Sequence, residues 1–139
     1  MRYPVKFKKE ANGNAINVSF PDIPEALTYG RNEKQATQHA LEALESALDF
    51  YFESGEPIPL PSVANRSRRV IELPPSVAAK VLLHNEMLRQ KIRPIDLARK
   101  MGIPRQEITR VLNFKHNTKI DTTAQALRAL GKHLELHVA

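Results

Sequence analysis

The sequence predicts an α+β fold: a β-β-β-α-β domain over residues 1–65, a linker and returning strand over 66–74, and a helical domain over 75–139 that closes on a terminal strand. Three observations predict it. Apolar residues alternate with polar ones near the N-terminus, they recur at helical spacing after Asn32, and proline clusters separate the stretches.

The first strand is expected over residues 1–9, where Tyr3, Val5 and Phe7 share one face. Asn12-Gly13-Asn14 is a turn, and Ile16, Val18 and Phe20 resume the alternation, so a hairpin is expected. Pro21 and Pro24 break it, and a short third strand around Leu27–Tyr29 ends at Gly30. Asn32 can cap a helix running to about Phe52, with Ala36, Ala40, Leu44, Ala47, Leu48 and Tyr51 as one apolar stripe. Gly55 stops that helix. Pro57, Pro59 and Pro61 then forbid helix or central strand, which leaves an extended strap. A polar loop over Ser62–Ser67 precedes Val70–Leu73, read as the returning strand.

Helices follow at about residues 76–90, with Val77, Val81, Leu82, Met87 and Leu88 apolar, and then from Arg93-Pro94, Pro104 and Asp121. Leu134, Leu136 and Val138 alternate as a final strand, which is expected to pair across a homodimer axis.

Charge divides the chain in the same place. Residues 1–65 hold six Lys/Arg against nine Asp/Glu, a net of −3; the remainder holds fifteen against six, a net of +9. An acidic half joined to a basic half implies two tasks, with an anionic partner for the second. There is no cysteine, which excludes a disulfide scaffold, a thiolate zinc site and a cysteine nucleophile. No apolar run approaches the roughly 20 residues a membrane span needs, and Met1-Arg2-Tyr3-Pro4 does not begin a secretory signal. The cytoplasm is the expected location.

The basic half carries a helix-turn-helix pattern over Pro94–Asn113. Two short helices that cross closely need a small residue at the contact, Ala98, and a residue tolerant of positive φ in the turn, Gly102. Leu97, Met101, Ile103, Ile108 and Val111 would face the shared core. Arg105, Gln106, Thr109 and Arg110 then fall on the outer face of the second helix, where they could read base edges; arginine pairs with guanine and glutamine with adenine. Lys115, His116, Asn117 and Lys119 follow and could hold phosphates. Each would otherwise be an ordinary solvated side chain.

The stretch over Pro94–Asn113 resembles the phage-repressor (Xre-like) helix-turn-helix family. The whole chain resembles the HicB antitoxin family, through Val18–Pro24 with its Phe20-Pro21-Asp22-Ile23-Pro24 turn, Thr28-Tyr29-Gly30, the alanine-rich helix and the Pro57–Pro61 strap. That resemblance implies a partial ribonuclease-H-like fold for the N-terminal domain. It also implies a HicA-type toxin partner that cleaves mRNA, and repression of the shared operon at double-stranded operator DNA. Arg69–Pro75 followed by a helix also looks like the start of a ribbon-helix-helix, but the fifty residues that follow fit the helix-turn-helix. The alternative function is a stand-alone transcription regulator whose N-terminal domain senses a small molecule or assembles subunits.

Catalysis is not expected, and neither is a cofactor or metal. Magnesium-binding carboxylates would have to cluster at strand ends, yet the strands carry Lys, Asn and Ser, while Asp22 and Glu25 lie in a proline-bounded loop. His133 and His137 share a face without a third ligand, and His39, His84 and His116 are isolated.

Overall fold

Strands form where alternation lets one face be buried. A computed structural model describes residues 1–62 and 69–139. The polar loop expected at Ser62–Ser67 falls, from residue 63 onward, outside them, as does the start of the 66–74 linker. The elements in order are β1 (Arg2–Pro4), β2 (Lys6–Lys9), β3 (Ile16–Ser19), β4 (Leu27–Gly30), α1 (Glu33–Ser54), β5 (Val70–Glu72), α2 (Pro75–Gln90), α3 (Pro94–Met101), α4 (Arg105–Leu112) and α5 (Ile120–Ala129). They fall into two compact units: residues 1–54 with 59–73, and residues 55–58 with 74–139.

In the first unit the expected single strand over 1–9 is two, divided at Val5. The segment changes partner there. β1 pairs antiparallel with β5, while β2 pairs with β3 and β3 with β4. Pro4 ends β1, having no N–H to continue a ladder, and Val5 donates to the Arg69 carbonyl at 3.2 Å. One face of β3 buries Ile16 and Val18. α1 covers it, and the alanine-rich stripe of α1 is buried at all six expected positions. Asn32 Oδ1 accepts from the Gln35 N–H at 2.9 Å, satisfying one of the free donors of the first turn. Gly30 is demanded by close approach: a Cβ there would stand 2.3 Å from the Ala36 nitrogen.

The second unit is helical. α2 packs on α4 and α5, and α3 on both of those. The burial on α2 differs from the expected stripe. Val81 and Met87 are buried, but so are Ala79, Lys80, Leu83 and His84, whereas Val77, Leu82 and Leu88 are half-buried. A helix packed on more than one side loses the single-stripe pattern. The proline-rich Gly55–Ile58 belongs to this unit. Asn85 binds both polar atoms of the Ile58 backbone, accepting from its N–H at 2.8 Å and donating to its carbonyl at 2.9 Å.

Within the single chain no strand forms at Leu134–Val138: Lys132–Ala139 form no regular element, and Leu136 and Val138 are exposed. Alternation proposes a strand, but a strand needs a ladder, and a helical unit offers this segment no edge.

Candidate nucleic-acid interface

The site is built from two eight-residue helices and the turn between them. α3 starts on Pro94, whose fixed φ suits a first turn. The Asp96 carboxylate accepts from the Arg93 backbone N–H at 3.2 Å and pairs with its guanidinium, Nε to Oδ2 at 3.0 Å. The helix ends at Gly102, φ +66°, where the Ile103 N–H reaches back to the Ala98 carbonyl at 3.1 Å. A Cβ at Gly102 would meet nothing within 4 Å. Glycine is wanted here for its backbone angle alone. Ile103 and Pro104 complete the turn, and Pro104 is extended, which aims the chain into α4.

Leu97, Ala98, Ile108 and Val111 are buried, with Leu112 beside them; Met101 and Ile103 are half-buried. The opposite face of α4 carries Arg105, Gln106, Thr109 and Arg110, all exposed. The Thr109 hydroxyl donates to the Arg105 carbonyl at 3.1 Å, so what it offers outward is an acceptor. Glu107 is exposed between them, an acceptor the sequence reading did not single out. In chemical terms this face offers two guanidinium forks, one amide and one carboxylate, a set that matches donors and acceptors on base edges.

Lys115, His116, Asn117 and Lys119 are exposed in the loop after α4. Two local bonds shape that loop. The Asn113 side chain accepts from the Lys115 N–H at 2.9 Å, and His116 Nδ1 lies 3.2 Å from the Thr118 hydroxyl.

Beneath the loop is a residue that sequence reasoning missed. Lys80 of α2 is 2% exposed, and its ammonium donates to three carbonyls: Asn113 at 2.7 Å, His116 at 2.6 Å and Arg110 at 3.4 Å. Those carbonyls belong to the C-terminal end of α4 and the turn beyond, where the helix dipole is negative and the backbone meets only some of the oxygens: Arg110 and Asn113 also accept from the Asn113 and His116 N–H groups at 3.2 and 3.1 Å. One buried cation therefore fixes both the end of α4 and the start of the loop. Burial lowers the lysine's pKa to about 8. The signal was present in the sequence as a lysine amid apolar residues of α2, but helical wheels assign such a residue to the solvent face.

Among the described residues no group of three or more His, Cys, Asp or Glu is placed to hold a metal ion. Nor is any helix long and apolar enough to cross a membrane.

Comparison with known proteins bears on the whole chain. A family model for the HicB-like antitoxin of bacterial toxin–antitoxin systems matches residues 2–82, which spans β1 to the first half of α2. Antitoxin HicB of Escherichia coli strain K12 is 52% identical over 136 residues, 98% of each chain. Antitoxin HicB 2 of Photorhabdus laumondii is also 52% identical over 136 residues, covering 98% of this chain and 95% of that protein. Antitoxin HicB of Pseudomonas fluorescens is 34% identical over 125 residues, 89% and 86% of the two chains. The two relatives at 52% identity extend beyond the family model through α3, α4 and α5, so the chain as a whole, both units included, belongs to the HicB-like antitoxin family.

Proposed function

We propose that this chain is an antitoxin with two activities. Through residues 1–65 it binds and neutralises a HicA-type, mRNA-cleaving toxin. Through α3, its turn and α4, acting as a helix-turn-helix over 75–139, it binds operator DNA and represses its own operon. Membership of an antitoxin family supports the first. The second rests on one observation above the rest: α4 buries Ile108, Val111 and Leu112 while turning Arg105, Gln106, Thr109 and Arg110 outward. The net +9 of residues 66–139 supports a polyanionic partner for this half. The order of the first unit, four strands, a helix and a strand, with β1 and β2 together in the place of the first expected strand, supports a partial ribonuclease-H-like fold. β5 pairs with β1 of the same chain, which favours the helix-turn-helix over a ribbon-helix-helix needing that strand free.

A lone helix-turn-helix reads few base pairs, so the active form is a homodimer on paired half-sites. The exposed, apolar Leu136 and Val138 make residues 133–139 the segment to join the two copies. Deleting it should halve the mass seen by light scattering; an unchanged assembly would assign dimerisation to another surface. The antitoxin acts in the cytoplasm, where operator DNA and mRNA are found.

Fluorescence anisotropy on operator and scrambled duplexes tests the DNA reading. Arg110→Ala should lose about 1–3 kcal/mol on operator and less on scrambled DNA, since base contacts carry the specificity. Lys119→Ala should weaken both equally and reduce the slope of log affinity against log salt by about 0.9. If Arg105→Ala and Arg110→Ala both leave the operator preference intact, α4 is not the reader. The stand-alone regulator predicts operator binding with no toxin bound by the full chain.

A further inference from the structure

The toxin-facing surface carries no sequence motif, but the first unit has a groove that fits such a partner. It lies between β4 and α1, about 720 Å³ in volume. Leu27, Tyr29 and Phe50 line it and are 68%, 61% and 55% exposed. Seven large apolar residues are exposed among the described residues, and three of them meet here. Large apolar side chains gathered at one exposed place mark a binding face more often than scattered ones do.

Two hydrogen bonds hold the walls. His39 Nδ1 on α1 meets the Tyr29 carbonyl on β4 at 2.7 Å, and the Tyr51 hydroxyl donates to Glu25 at 2.6 Å. The groove is therefore preformed, and filling it would cost little reorganisation. β4 is also an outer strand of its sheet.

Charge identifies the occupant. Glu25 and Glu42 line the groove. After Lys34, α1 has no Lys or Arg through Ser54, but carries Glu42, Glu45, Asp49 and Glu53. Burial, and then Asp49 and Glu42, push the Glu45 carboxyl above its ordinary range, so this flank is crowded with like charge. Apart from Lys34 in the first turn of α1, the lysines described in the unit stand elsewhere: Lys6, Lys8 and Lys9 are on β2, with β3 between them and β4. Phosphate would be repelled here. A second copy of the chain meeting the groove about a twofold axis would set carboxylate against carboxylate.

We propose that the groove between β4 and α1 is the docking face for the toxin, a cationic protein that lays apolar side chains against Leu27, Tyr29 and Phe50 while its basic groups meet the carboxylates of α1. This rests on the antitoxin reading above and gives it a footprint.

The test uses the full chain and a purified HicA-type toxin, titrated by calorimetry at low and high salt. Phe50→Ser and Tyr29→Thr should each weaken binding at least about tenfold, as loss of a central apolar anchor does. Tyr29→Phe should retain binding. Glu42→Lys should weaken binding and flatten its salt dependence, whereas Lys8→Glu on β2 should do neither. Thermal melts of the free variants confirm that each is folded. If the wild-type chain binds and all groove variants bind as well as it does, the groove is not the docking face and the antitoxin reading survives. If the wild-type chain does not bind, both fall. If the variants change only the mass of the free chain in light scattering, the groove joins copies of this chain and the proposal is overturned.

Discussion

The first unit closes its core with alanines and a glycine, and among its described residues the buried side chains that carry a polar atom are tyrosines. Tyr3 is an example: its ring is buried, its pKa is raised chiefly by burial, and its hydroxyl reaches the Pro59 carbonyl at 2.8 Å. The second unit instead buries a lysine and a histidine, Lys80 and His84, among its helices. It uses them on backbone: Lys80 on the end of α4, and His84 Nε2 on the Glu56 carbonyl at 2.8 Å. The difference follows from what each architecture leaves open. A sheet satisfies its own backbone laterally, whereas every helix end leaves carbonyls or N–H groups that something must meet. The outer faces differ too: apolar with carboxylates beside the β4–α1 groove, cationic along α4. One suits a basic protein and the other a polyanion.

The contrast can be broken most severely at Gly30. Gly30→Ala puts a methyl group into the α1 backbone, and neither wall is a flexible side chain. The expected loss is about 3 kcal/mol or more, read as a lower unfolding transition and loss of toxin binding. If backbone approach is what matters, Gly102→Ala should be milder, by about 1 kcal/mol, since only the positive φ resists it. Equal effects at the two positions would contradict the distinction between them.

Lys80→Met comes next. It takes the ammonium from the carbonyls of Arg110, Asn113 and His116, of which the first two still accept from the Asn113 and His116 N–H groups, while removing a buried charge. A net loss of about 1–3 kcal/mol is expected, the usual cost of losing a charged hydrogen-bond donor to buried acceptors. Urea unfolding measures it, and a variant as stable as wild type would mean that water replaces the ammonium.

A smaller effect depends on pH. Glu86 accepts from Arg89 and Gln90, bonds that hold its carboxyl well below the usual carboxylate range. Because the folded pKa is the lower one, the stabilisation is present above the unfolded pKa near 4.5 and is lost as pH falls toward 2. Arg89 is exposed, so solvent holds the contribution under about 1 kcal/mol. Glu86→Gln should therefore differ from wild type at neutral pH and converge with it in acid.

The least change is expected at Thr123. Its hydroxyl is buried and has no hydrogen-bond partner among the described residues. Thr123→Val keeps the shape and removes the orphan, so stability should hold or rise by up to about 1 kcal/mol. A clear loss would indicate a hydrogen bond through water.

The sequence by itself determined the elements whose signals are local. The α1 stripe is legible because six residues at helical spacing are all buried on one face, and the bounds of α3 and α4 follow from Pro94, Gly102 and Pro104, whose backbone limits act within a turn. The exposed face of α4 follows from the same period. Other features depend on residues far apart in the chain, and only the tertiary structure decided them. Val5 divides a strand because Arg69 and β5 return to it. Leu134–Val138 alternates, yet it finds no ladder to join within its own chain. Lys80 is buried because carbonyls 30 to 36 residues away converge on it. The groove exists because Tyr29 and Phe50, on different elements, are brought together when α1 docks over Gly30. Periodicity reports which face a residue takes; it carries no information about what will be waiting on that side.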